Sequence, residues 1–223
     1  MKVDINIPDS LNEITLLQYQ KFHKLIKDND ASDFVNQKTI EIFCNIDLKD
    51  VAKIKVTDVN EILEHLNKIL QQRTPLKNTF KLAGVEFGFI PKLEDITSGE
   101  YIDLENYLSD VDTLHQAMAV LYRPIKSKTK DLYTIHEYES SYQYAEALKY
   151  MPLDIALGSM LFFWTLLNDC VNALSHYIQN EVEQSEQAKQ VLEKNGVGIN
   201  QSMQQLREIF SNLMPLQNYQ LQH

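Results

Sequence analysis

A mainly α-helical α+β domain is the fold class that three observations predict. Apolar residues recur at helical spacing along most of the chain. One pair of short runs alternates apolar and polar about a glycine turn. A stretch near residue 160 is apolar nearly all round, as a buried helix would be. The expected architecture is a helical domain with a small antiparallel β-hairpin element and a long central apolar helix.

Lys2 to Ile7 alternate as KVDINI, which predicts a short strand stopped by Pro8. Thr15 with Gln18 forms a capping-box pattern, and Leu16, Tyr19, Phe22 and Ile26 follow at helical spacing. Ser32 predicts the cap of a second helix carrying Phe34, Val35, Ile42 and Phe43. Thr57 predicts the cap of a third, in which Val59, Ile62, Leu63, Leu66 and Leu70 form one stripe, and Thr74-Pro75 ends it. Phe80 and Leu82 alternate toward Ala83-Gly84, and Val85, Phe87 and Phe89 alternate away: a hairpin, stopped by Pro91. Helices are expected over Gly99 to Leu108 and Thr113 to Tyr122, with Arg123-Pro124 ending the second. The polar stretch 126–140 contains LYTIHEY, a short strand, and Tyr142 to Lys149 reads as helix. Pro152 suits the first turn of the longest helix, running to Gln190. Asn195-Gly-Val-Gly198 breaks the chain, with a domain boundary near residue 185. Residues 1–185 then form the main domain, and 186–223 a polar, Gln-rich extension carrying an amphipathic helix over 199–214.

The 223 residues suffice for a full core. A net charge of −10 argues against a nucleic-acid interface, which needs a basic face. The basic run Lys126-Ser-Lys-Thr-Lys130 reads as a solvated loop. The longest uncharged apolar run, Ile155 to Leu167, falls short of the ~20 residues that cross a bilayer. With no signal-peptide pattern at the start, a soluble intracellular protein is expected. Cys44 and Cys170 sit on apolar stretches and read as buried free thiols.

Phosphate-binding glycine loops, zinc-ligand spacings and nucleophile elbows do not occur in the sequence. Asp110-Val-Asp112-Thr113 has the DxDxT shape of aspartyl-phosphate phosphatases, whose first Asp must end a parallel strand. Here the preceding ENYLS reads as helix, so a helix-to-helix loop with Asp112 as a cap is expected. The acidic residues between Glu94 and Asp112 lack the spacing of a calcium loop and read as solvated helix faces and first turns. The six histidines have no partners at ligand spacing. Arg123 leaves two readings open: a cation at a helix C-terminus, or a buried partner of Asp154 or of an acid from 94–112. No catalytic residue, cofactor or metal site is expected, and the protein reads as a non-enzyme. The partner-binding candidate is the apolar face Ile199, Met203, Leu206, Phe210 and Leu213, which must bury on its own body, on a second copy or in a partner groove.

Three strings carry a resemblance: FGFIPKLEDITSGEYIDLENYL over 87–108, LHQAMAVLYRPI over 114–125 and YMPLDIALGSMLFFWTLL over 150–167. With IPDSLNEITLLQYQKF near the start, their order resembles morphogenesis proteins of tailed bacteriophages of the Bacteroidetes and marine type, over about residues 1–180. The resemblance implies a tail-assembly-chaperone-like factor, made in the cytoplasm of the infected bacterium. Its implied partners are other phage structural proteins: a tape-measure protein held soluble, or tail or connector subunits. The alternative it implies is a structural component of the virion. It transfers no residue-level site.

Overall fold

The computed structural model describes residues 5–130, 132–166 and 169. Chain order runs α1 (Leu16–Asp28), α2 (Asp33–Cys44), α3 (Leu48–Val51), α4 (Val56–Leu70), β1 (Thr79–Leu82), β2 (Val85–Phe89), α5 (Ser98–Tyr107), α6 (Leu114–Leu121), β3 (Tyr122–Thr129), β4 (Leu132–Ile135) and α7 (Tyr142–Leu148). A further helix, α8, covers residues 153–166. The protein is α+β, mainly helical, with one antiparallel sheet ordered β1-β2-β3-β4.

Side-chain caps written in the local sequence start α1, α2 and α5. Thr15 Oγ1 accepts from Gln18 N, and the Gln18 side chain accepts from Thr15 N, so two orphan donors of α1 are satisfied reciprocally. Thr97 and Glu100 repeat the device on α5. Ser32 caps α2 as expected. Thr57 does not cap α4: the helix starts at Val56 after an extended Lys55, and the Thr57 hydroxyl turns to Asp58 Oδ1 at 3.0 Å.

The helical body and the sheet share one core. Phe22 packs on Phe43 at 5.2 Å between ring centres, which joins α1 to α2. Phe80 and Phe89 meet Tyr122 edge-on, Phe87 stacks on Phe80, and Phe89 meets Phe162 and Phe163 of α8. Offset and edge-to-face aromatic pairs of this kind add about 0.5–1.5 kcal/mol each beyond burial. Leu16, Leu66, Leu114, Met118 and Leu153 are fully buried among them.

Two helices spring from one point. Thr15 and Pro152 form an isolated antiparallel bridge. Leu16 N donates to Met151 O, Leu17 N to Lys149 O, and Leu153 N to Ile14 O. The first N–H groups of α1 and α8 therefore find carbonyls across the bridge instead of being left unpaired.

Several expectations need correcting. Ile5 and Ile7 face the core and Asn6 faces out, but residues 5–7 belong to no strand. The alternation reports which side is covered, not a ladder partner. The β element is a four-stranded sheet rather than a lone hairpin, because the run expected to be a loop is β3. β3 follows α6 without a turn, and Lys126 to Lys130 extend past the end of β2, where no core exists to impose alternation. α8 is buried through its first two turns and becomes exposed by Trp164. Its expected continuation to Gln190, Cys170 and the boundary near 185 lie outside the described residues. Cys44 is a buried free thiol, and burial pushes it up to about 11.

Gly88 shows what the sheet's outer face requires. The Tyr133 ring lies across it, and its hydroxyl donates toward Phe89 O at 2.9 Å and Asn78 O at 3.1 Å. A Cβ on Gly88 would stand 2.5 Å from Tyr133 Cε2. Gly88→Ala is expected to destabilise by about 1–3 kcal/mol through overpacking. Combining it with Tyr133→Ala should give a loss well below the sum of the two in urea unfolding; strict additivity would show that the ring and the glycine do not meet.

Candidate functional site

Among the described residues, polar and charged side chains gather at three buried places and one open groove. The first centres on Arg123, in β3, and Glu100, in the first turn of α5. Their side chains are 8% and 5% exposed, and Nη1 lies 2.6 Å from Oε1. The contact is an ion pair made off the N–H axes; Arg123 Nε has no acceptor among the described residues. Glu100 Oε2 also accepts from Thr97 N at 2.7 Å and Thr97 Oγ1 at 2.8 Å, so one carboxylate both caps a helix and neutralises a strand cation. The Tyr138 ring stands 5.6 Å from the guanidinium, a cation–π distance, while its hydroxyl donates to Asp103. Burial first, then the Asp103 carboxylate, pushes the Tyr138 phenol up from its ordinary value.

The second place joins the segment after α4 to α8. Asp154 is 4% exposed, and its Oδ2 takes Lys77 Nζ at 2.5 Å, while Oδ1 has no hydrogen-bond partner among the described residues. Thr74 Oγ1 donates to the Asp154 carbonyl at 2.9 Å. Beside them the Tyr122 hydroxyl shares a 2.8 Å hydrogen bond with Ser159 Oγ and lies 2.8 Å from Lys77 O. Burial drives the Tyr122 phenol upward. The third place is Gln20 on α1 against His115 on α6.

The open groove, of about 590 Å³, lies between α1 and α2. Lys21, Lys24 and Lys38 line it with Asp28, Glu41 and Asp47, so its charges are mixed, and Lys38 is already paired with Glu41.

The hydroxyl–carboxylate pairs at the first place, Thr97 with Glu100 and Tyr138 with Asp103, are a helix cap and a tie from the 136–141 segment to α5. Among the described residues no group of three His, Cys, Asp or Glu side chains stands at metal-binding distance. The Asp110–Thr113 motif is absorbed by turn chemistry. Asp110 Oδ1 accepts from Asp112 N at 3.0 Å, and the Thr113 hydroxyl lies 2.9 Å from Tyr107 O and 3.0 Å from Asp110 O. The capping residue is thus Asp110, where Asp112 had been expected, and it starts a 3-10 turn, Val111–Thr113. Arg123 takes the buried reading, with Glu100 as partner; Asp154 pairs with Lys77 instead. His65 Nε2 lies 3.1 Å from Pro8 O, a long-range tie between α4 and the segment before α1. The partner-binding candidates Ile199, Met203, Leu206, Phe210 and Leu213 lie outside the described residues. Sequence reasoning missed Lys77 and Tyr138, because neither shows a pattern until the fold brings it to its partner.

Family models, curated proteins and solved structures were compared with the chain, and none matches it. No helix among the described residues is long and apolar enough to cross a membrane.

Proposed function

We propose that this protein is a non-enzymatic bacteriophage assembly factor, tail-assembly-chaperone-like, that binds other virion proteins in the cytoplasm of the infected host. The observation that carries the reading is an acidic helical body whose surface presents large apolar side chains: Tyr101 and Ile102 on α5, Tyr142 on α7, Tyr150 after it, and Trp164 and Leu166 at the far end of α8. A factor that holds an apolar helical partner in solution needs such contacts on a highly charged frame. The chain then continues into the stretch bearing Ile199, Met203, Leu206, Phe210 and Leu213, which supplies a further apolar stripe for the same task. The strings that resemble phage morphogenesis proteins run through β2, α5, α6, the first residues of β3 and α8, and they hold both core residues and the exposed Tyr101, Ile102, Tyr150, Trp164 and Leu166.

A second reading, a structural component of the virion such as a connector, ring, tail or internal cargo protein, is favoured by the outer strand β4. Leu132 is 80% exposed there, and an uncovered strand edge can pair with a neighbouring subunit. Quantitative proteomics of purified mature particles separates the two. The chaperone reading expects the protein in infected lysate and its absence from particles. Recovery at a fixed, ring-like copy number overturns that reading and favours the second.

A further inference from the structure

We propose that the Gln20–His115 contact is an acid-sensitive latch, which holds α1 to the turn before α6 while the His115 ring is neutral and loosens it when the ring takes up a proton. Gln20 is 6% exposed and His115 8%. Gln20 Nε2 has three neighbours that can accept: Val111 O at 2.7 Å, Asp112 O at 3.2 Å and His115 Nδ1 at 3.1 Å. Turning the amide over would set its oxygen against two carbonyl oxygens, so the network itself assigns the orientation. The latch takes Nδ1 as an acceptor of Gln20 Nε2, which puts the ring proton on His115 Nε2. This is the neutral tautomer.

A proton on Nδ1 reverses the contact. Two N–H donors would then face each other, and the new N–H would compete with Gln20 for the Asp112 carbonyl. Gln20 cannot recover by turning over, for the reason just given. The amide then gives up the ring and the Asp112 carbonyl together, and the tie to residues 111–112 weakens to Val111 O alone.

The surrounding charges come from three elements. Burial and Lys149, just after α7, oppose a charged ring; Glu146 of α7 and the carbonyl and carboxylate of Asp112 favour it. The balance lowers the His115 pKa. His23, on α1, is lowered as well, chiefly by burial, with Asp112 and Asp110 opposing and Lys27 assisting. Because the folded ring binds its proton less readily than the unfolded one, its contribution to stability is complete above the unfolded value of about 6.5 and is lost as pH falls through the folded value.

The test uses the full chain. Urea unfolding midpoints are compared at pH 7.5 and 5.5 for the wild type and His115→Gln, which keeps a polar side chain but cannot titrate. The wild-type midpoint should fall on acidification, and the variant should lose at least half of that fall, the remainder belonging to His23 and the carboxylates. A second readout stands if the variant does not fold: in the wild type, the Gln20 side-chain amide resonances should move with the titration of the His115 ring, at a midpoint below 6.5. Equal pH responses of the two proteins, or Gln20 resonances that stay fixed through the ring's titration, overturn the latch.

Discussion

Arg123→Met is expected to cost the fold about 3–5 kcal/mol, because it strands the Glu100 carboxylate in a site that water hardly reaches. The hydrogen bonds from Thr97 remain, but two donors do not neutralise a buried carboxylate. Glu100→Gln should lose less in its own helix, since an amide oxygen still accepts from Thr97, yet it leaves the guanidinium unpaired. The informative protein is the double variant Arg123→Met, Glu100→Gln, which buries no net charge. Its urea midpoint should lie clearly above that of Arg123→Met alone. A loss under about 1 kcal/mol for Arg123→Met would be the behaviour of an exposed pair, and it would refute the burial described for β3 and α5.

The second large effect is a pair of identical substitutions with opposite signs. Alanine is the better helix former than glycine by about 1 kcal/mol. At Gly99, in the first turn of α5, a Cβ would meet nothing within 4 Å, so Gly99→Ala is expected to stabilise by roughly 0.5–1 kcal/mol. At Gly158, in α8, a Cβ would stand 2.5 Å from Pro75 O and 3.1 Å from Pro75 C. Those are backbone atoms of a segment pinned by Thr74 and Lys77 to Asp154, and they cannot swing aside as a side chain can. Overpacking therefore outweighs propensity, and Gly158→Ala should lose about 1–3 kcal/mol net. Thermal or urea unfolding of the two variants side by side decides the matter. Stabilisation at Gly158 would mean that residues 74–75 do not rest on α8.

What could be read before the fold was seen follows a physical line. Caps and tight turns are local chemistry, so Thr15 with Gln18, Ser32 and the turn at Ala83-Gly84 were legible in a few neighbouring letters. β3 was not, because its exposed half has no buried face to pattern it, and its start is fused to the end of α6. The apolar segment before Arg123 leaves open whether the cation is buried or ends a helix, and tertiary packing decides both its burial and its partner among several acids. Lys77 looked like any surface lysine; only docking of α8 turns it into the counter-ion of Asp154. The apolar stripe from Ile199 to Leu213 is legible as a pattern, but what covers it is a property of a surface and not of a spacing.

The bridge between Thr15 and Pro152 also sets an order of events during synthesis. The first helix is made early, yet the carbonyls that complete its first turn belong to residues 149 and 151. At ribosomal rates of about 5–20 residues per second, the nascent segment waits on the order of ten seconds for them. Through that interval the face of Leu16, Tyr19 and Phe22 lacks much of its eventual cover. A chain released before residue 153 leaves both helix beginnings unfinished.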